Sequence, residues 1–304
     1  YSGGIGLSYS KVVSIGNATM LDSTDFLEYF ADDPETEIIA MYLEGIGDGR
    51  KLTRLVREIN QKKPVIILKG GLTESGARAV ASHTGSLAGS EAVWDAFFRQ
   101  TGAVRVDSLE ELMDVTVAFR FLIPLHGRRF AVLSGGGGMS VAGADSCARE
   151  GLETPTLSEK TLSSLREFIP EAGFSVRNPL DVGMVLRNTP LLEKTLNLLG
   201  DDSRIDGYLV CLMTGMSFVG DQDDPDLDKS YANVVGRFGR ENAYRKPVAM
   251  VLRSPGHVKS EEALRMRLHA ALVKEGVAVF PTLSRAARAL SKFAQYHEFI
   301  EQPI

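Results

Sequence analysis

The chain writes one pattern twice, and that repetition limits its fold more than any single residue does. Lys63-Pro64-Val65-Ile66-Ile67-Leu68-Lys69 is answered by Lys246-Pro247-Val248-Ala249-Met250-Val251-Leu252-Arg253. Further on, Gly102-Ala103-Val104-Arg105-Val106-Asp107-Ser108-Leu109 is answered by Gly276-Val277-Ala278-Val279-Phe280-Pro281-Thr282-Leu283, with an alanine-containing helix after each. Short apolar runs bounded by Pro or Gly read as buried strands. Such runs alternating with helices imply a parallel sheet covered on both faces. The repeat therefore predicts an α/β protein of two tandem flavodoxin-like, parallel-sheet domains. The two copies are spaced unequally: 39 positions separate Lys63 from Gly102, but 30 separate Lys246 from Gly276.

The extra nine positions fall where the first copy carries Ala81-Ser82-His83-Thr84-Gly85-Ser86-Leu87-Ala88-Gly89-Ser90. This run of small and hydroxyl residues surrounds one imidazole. It lies between the strand at Val65 and a helix with apolar residues at Val93, Ala96 and Phe97. Small neighbours leave room for a large anion, and a neutral imidazole is a nucleophile. A scaffold needs neither the insertion nor its histidine, although a surface histidine in a loop remains the plain alternative.

Taken in order, Lys11-Val12-Val13-Ser14-Ile15-Gly16 is strand-like, Asp25 to Phe30 helical, and Glu37 to Gly45 a buried strand ending on the carboxylate of Glu44. Asp48 to Gln61 is an amphipathic helix, and Ser108-Leu109-Glu110-Glu111 has a capping-box pattern. Pro124 and Gly127 interrupt the rhythm, which divides the chain into domains 1–124 and 125–304. The second domain opens on Phe130-Ala131-Val132-Leu133. Gly135, Gly136, Gly137, Gly138 and Met139 follow, and then a helix through Val141, Ala144 and Ala148.

With 44% apolar and 24% charged residues the composition is that of a globular protein, and a net charge of -5 argues against nucleic-acid or anionic-membrane surfaces. No apolar run approaches the ~18 residues of a membrane span. Cys147 and Cys211 read as reduced core thiols of a cytoplasmic protein, and no cluster of cysteines and histidines suggests zinc.

Ligands of parallel sheets collect beyond the carboxyl ends of the strands. Glu44 and the His83 loop can share such an edge, where a carboxylate on one imidazole nitrogen would fix the tautomer; a solvated Glu44 at a turn is the alternative. The glycines at 135–138 close a strand and open a helix, the geometry of a phosphate cradle. They match neither a Walker A loop nor the dinucleotide fingerprint, and a turn that only packs helix on sheet is the alternative. Asn178-Pro179-Leu180-Asp181 is either an Asx-type turn or a ligand-facing loop. His126, His257, His269 and His297 read as structural or solvated.

Together these motifs resemble the NDP-forming acyl-CoA synthetase family, which includes succinyl-CoA synthetase and ADP-forming acetate–CoA ligase. Ser82-His83-Thr84-Gly85 is similar to the loop of the phosphorylated histidine, and Met41-Tyr42-Leu43-Glu44-Gly45 to the strand whose glutamate supports it. Gly135 to Met139 resembles the phosphate-binding turn of the "power helix" in the second flavodoxin-like domain. The resemblance implies interconversion of acyl-CoA, phosphate and ADP with carboxylate, CoA and ATP through a phosphohistidine at His83, with Glu44 as its support. It implies CoA, ATP/ADP and Mg as substrates of the complete enzyme, none held tightly by this chain. A CoA-binding domain and an ATP-grasp domain or subunit would be its partners in an oligomer, and without them the chain would be inactive. Gly6-Leu7-Ser8-Tyr9-Ser10-Lys11 resembles the segment after the first strand and helix of the first domain, which would leave that domain incomplete at its start. The competing reading is a non-catalytic regulatory or scaffold module of a fused protein acyltransferase.

Overall fold

The computed structural model describes residues 2–76, 78, 80, 90–217, 227–254, 256 and 258–302. They form two compact units, Leu7–Phe119 with the last residues from Glu298, and Arg120–His297 with the short 3-10 turn Ser2–Ile5.

The first unit contains α1 (Ser23–Asp32), β1 (Ile39–Leu43), α2 (Gly49–Ile59), β2 (Val65–Lys69), α3 (Glu91–Thr101), β3 (Val104–Val106) and most of α4 (Leu109–Phe121). Its strands are parallel in the order β1-β2-β3. All five residues of β2 are buried, as a central strand covered on both faces requires. The expectation of a fully buried β1 is corrected: it is an edge strand, with Ala40 and Tyr42 exposed. The helices start where side chains satisfy their first N–H groups. Asp22 accepts from Thr24 N at 2.7 Å, and Asp48 accepts from Arg50 N and Lys51 N, both at 2.9 Å. At α4 the Ser108 hydroxyl accepts from Glu111 N, but the Glu111 carboxylate returns to Asp107 N rather than to Ser108 N.

The expected strand at Lys11–Gly16 does not form. Val12 is 78% exposed, and neither it nor Val13 has a sheet to cover it. The segment acts through Lys11, whose Nζ reaches Asp33 at 2.8 Å and Glu35 at 2.9 Å.

The second unit runs β4 (Phe130–Ser134), α5 (Gly137–Arg149), α6 (Glu159–Arg166), β5 (Leu180–Asp181), α7 (Gly183–Leu186), α8 (Thr189–Gly200), β6 (Gly207–Met213), α9 (Thr214–Ser217), α10 (Leu227–Glu241), β7 (Val248–Arg253), α11 (Lys259–Lys274), β8 (Ala278–Phe280) and most of α12 (Leu283–Glu301). All its strand pairs are parallel, in the order β5-β4-β6-β7-β8. Counted along the unit this is 2-1-3-4-5, the flavodoxin order. The three strands of the first sheet correspond to the last three of the second, as the repeat predicts.

The expected helix after the glycine turn is α5, and it buries its small residues. Val141 is 63% exposed, whereas Ser140, Gly143, Ser146 and Cys147 face inward. A methyl at Gly143 would stand 2.8 Å from Val132 Cγ1, so small residues let the helix lie close against β4.

Candidate functional site

At the carboxyl edge of the first sheet, β1 ends on Leu43 and β2 on Lys69. Glu44, the next residue after β1, is partly buried, and its Oε1 accepts the Tyr42 hydroxyl at 3.1 Å. Residues two apart on a strand share a face, which brings these side chains together. Lys69 holds the backbone beneath them. It is 5% exposed, and its Nζ donates to the Glu44 carbonyl at 2.8 Å and to the Gly70 carbonyl. Gly70 N closes the edge onto the Leu43 carbonyl at 2.9 Å. Burial lowers the pKa of Lys69 while the Glu44 charge opposes the shift, and the ammonium lies 5.4 Å from the centre of the Trp94 ring. Burial, reinforced by Glu44, raises the pKa of the Tyr42 phenol. A carboxylate has several lone-pair sites, so Glu44 can accept an N–H besides the phenol. His83 and its loop lie outside the described residues.

In the second unit the expected glycine turn joins β4 to α5. Gly136 N donates to Asp181 Oδ1 at 2.6 Å. Gly137 and Gly138, the first residues of α5, have no acceptor for their N–H groups among the described residues. Ser134 and Ser140 link their hydroxyls at 2.8 Å beneath the turn. The Arg253 guanidinium, at the end of β7, touches Met139 Sδ at 3.6 Å and has no acidic partner among the described residues. Two N–H groups at a helix start and a cation can meet an anion, with the Asp181 carboxylate sharing the turn.

Asn178-Pro179-Leu180-Asp181 has a structural role here. Asn178 Oδ1 accepts from Val132 N at 2.9 Å, and its Nδ2 donates to the Phe130 and Pro155 carbonyls. Leu180 is fully buried, and Asp181 holds the glycine turn. The motif thus stitches β5 to β4 and fixes the turn. Among the described residues no group of three His, Cys, Asp or Glu side chains forms a metal site, and no helix is long and apolar enough to cross a membrane.

Residues 2–119 match the family described as the succinyl-CoA ligase like flavodoxin domain. Across 96% of its length the chain is 35% identical to the ADP-forming acetate–CoA ligase I of Archaeoglobus fulgidus. Over nearly its whole length the chain is thus similar to NDP-forming acyl-CoA synthetases, and residues 2–119 carry the flavodoxin-like domain of that family. A second relative in this family is the alpha subunit of the ADP-forming acetate–CoA ligase I of Pyrococcus furiosus, 32% identical over 96% of the chain. A solved structure of the dinucleotide-forming acetyl-coenzyme A synthetase 1 of Ca. Korarchaeum cryptofilum, in complex with phosphate and ADP, covers 97% of the chain with a TM-score of 0.79 and 29% identity. The chain spans 38% of the Archaeoglobus ligase, 60% of the Pyrococcus subunit and 60% of the Korarchaeum chain.

Sequence reasoning missed Tyr42, Lys69 and Arg253 as members of these synthetase-like sheet edges. Lys69 and Arg253 had a signal, because each is the cation that ends a repeated strand.

Proposed function

We propose that this chain is the phosphohistidine-carrying part of an NDP-forming acyl-CoA synthetase. In the complete enzyme, acyl-CoA and phosphate would give an acyl phosphate and CoA at a CoA-binding domain. The His83 imidazole would take the phosphoryl group, releasing the carboxylate, and an ATP-grasp unit would pass it to ADP to form ATP. The observation that carries this reading is Glu44 at the carboxyl edge of its sheet, its backbone pinned by Lys69. In sequence the His83 segment lies between the neighbouring strand β2 and α3. A carboxylate there can hold one imidazole N–H and leave the other nitrogen to attack phosphorus.

A phosphoryl group carries nearly two negative charges and needs oriented donors. The N–H groups of Gly137 and Gly138 are donors of that kind, with Arg253 as a nearby positive charge. Asp181 keeps Gly136 in place and tempers the affinity, because its own carboxylate lies beside the turn.

The test assembles the chain with CoA-binding and ATP-grasp polypeptides and labels the complex with radioactive ATP. Acid-labile, base-stable label should map to His83, and His83→Ala should abolish label and turnover. Glu44→Gln should keep the fold and slow transfer by about 10–1,000-fold. Label on another residue, or full turnover by the His83→Ala protein, rejects the reading. Gly137→Pro probes the turn separately: proline suits the first helical position but lacks the N–H donor. It should leave the helix intact and weaken phosphate binding by about tenfold.

A further inference from the structure

Away from both sheet edges, the first unit has a groove of about 1010 Å³ along the outer face of α2. Arg50, Arg54 and Arg57 line it, spaced i, i+4 and i+7, so they share one face of the helix. All three are exposed, and Arg50 and Arg57 have no acidic partner among the described residues. Arg54 has Glu58 at 3.9 Å, a long contact between two well-exposed side chains. Gln61 and Gln100 add amides to the lining.

Arg50 is placed against the interest of its own helix. A cation in the first turn opposes the helix dipole, and the one carboxylate at this terminus, the Asp48 cap, is spent on the N–H groups of Arg50 and Lys51. The helix does not need it, so a partner outside the helix is the better reason for its charge. The arrangement also indicates the form of that partner. Seven residues of α-helix rise about 10 Å, so the guanidinium groups form a line over two turns rather than converging on one phosphate. Carboxylates at i, i+4 and i+7 on a second helix repeat the same interval.

We infer that this groove is a docking surface for an acidic helix of a protein partner, with carboxylates in register with Arg50, Arg54 and Arg57. Glu58, at one end of the row, repels an acidic neighbour there and so sets where the partner's row must stop. The inference is independent of phosphoryl transfer, and its test uses no enzymatic activity.

The probe is a synthetic helical peptide bearing glutamates at i, i+4 and i+7, followed by fluorescence anisotropy with the full chain. A peptide of the same composition with its glutamates moved around the helix is the control, and pyrophosphate is the small-anion competitor. At low salt the in-register peptide should bind saturably, with the control about tenfold weaker. Combined Arg50→Glu, Arg54→Glu and Arg57→Glu should weaken binding at least about tenfold with circular dichroism unchanged. Arg54→Gln alone should show part of that loss if the triple variant misfolds. About 1 M salt, where the screening length is about 3 Å, should abolish binding. Equal binding of both peptides, no binding of the in-register peptide, or displacement by less pyrophosphate than peptide overturns the inference.

Discussion

The first and second units build the same frame from the same residues at the same joints. Lys63 donates to the Phe30 and Asp33 carbonyls at the end of α1, and Lys246 donates to the Gly200 and Asp202 carbonyls at the end of α8. Asn60 and Asn242 each use Oδ1 to hold a backbone N–H at the entry to the following strand, that of Val65 and Lys246. Gly102 and Gly276 lead into β3 and β8 at φ of 68° and 75°. The two aspartates whose carbonyls take the lysines differ in what holds their side chains. Asp202 accepts backbone N–H groups from Ser158 and Arg204 at 2.7 and 3.1 Å. Asp33 keeps only a longer version of the second of these, from Glu35 N at 3.4 Å, and in place of the first accepts the Lys11 ammonium and the Thr36 hydroxyl. Where the second unit supplies a loop ahead of α6, the first supplies one lysine from a segment without a strand. One joint can therefore be completed by backbone or by a side chain, and the two should respond differently to perturbation.

The largest difference is expected at the paired glycines. Alanine at either position has to adopt the left-handed conformation, at about 1 kcal/mol. At Gly102 its methyl would also stand 2.1 Å from the Phe299 ring, whereas at Gly276 the nearest atom is Arg240 Cδ at 3.9 Å. Gly102→Ala should cost about 2–4 kcal/mol and Gly276→Ala about 1 kcal/mol, read from urea unfolding. Equal losses would mean that the Phe299 ring yields without cost.

The aspartates come next. Asp202→Ala removes two N–H bonds to a buried carboxylate and should cost about 2–3 kcal/mol at neutral pH. Burial pushes the Asp202 pKa up, but the N–H groups of Ser158 and Arg204 outweigh it and leave it below the usual range. A depressed carboxylate stabilises the fold above about pH 4, so the gap between variant and parent should close as pH falls through the folded value. Asp33 is also held low, first by Lys11 and then by Thr36. Lys11→Met should have a smaller effect that shrinks at high salt, while the Asp202 effect persists. Hydrogen exchange resolved by unit distinguishes the two. The smallest effect is expected at Val12: Val12→Ser should change stability by less than about 0.5 kcal/mol, because nothing covers that side chain. A larger loss would show that the segment contributes more than Lys11.

The repeat, the strands of both sheets other than β5, and the glycine turn were legible because apolar runs and Pro or Gly boundaries are local signals. Other features were not, for a physical reason: polar contacts between distant segments leave no periodicity. Asn178 stitching β5 to β4 spans 46 positions to Val132, and β5 has two residues, too few to show a pattern. The buried face of α5 carried no apolar signal, because Gly143 and Ser146 look polar or neutral, yet their small size is what the strand requires. The twin asparagines ahead of each Lys-Pro were the unused clue. They would have extended the repeat back from the strands to the helices before them. Glu44 was legible as the end of a strand, but Tyr42 on its carboxylate and Lys69 beneath it emerge only when β1 and β2 are paired.

The missing methyl at Gly143 sets a tolerance for atoms well away from it. Contact with Val132 fixes the height at which α5 lies above β4, and a straight helix carries that height to its tip, about 9 Å away. The N–H groups of Gly137 and Gly138 are thus levelled by a shim of zero thickness. A single added carbon at 143 would raise the whole bar and tilt those donors without touching either of them.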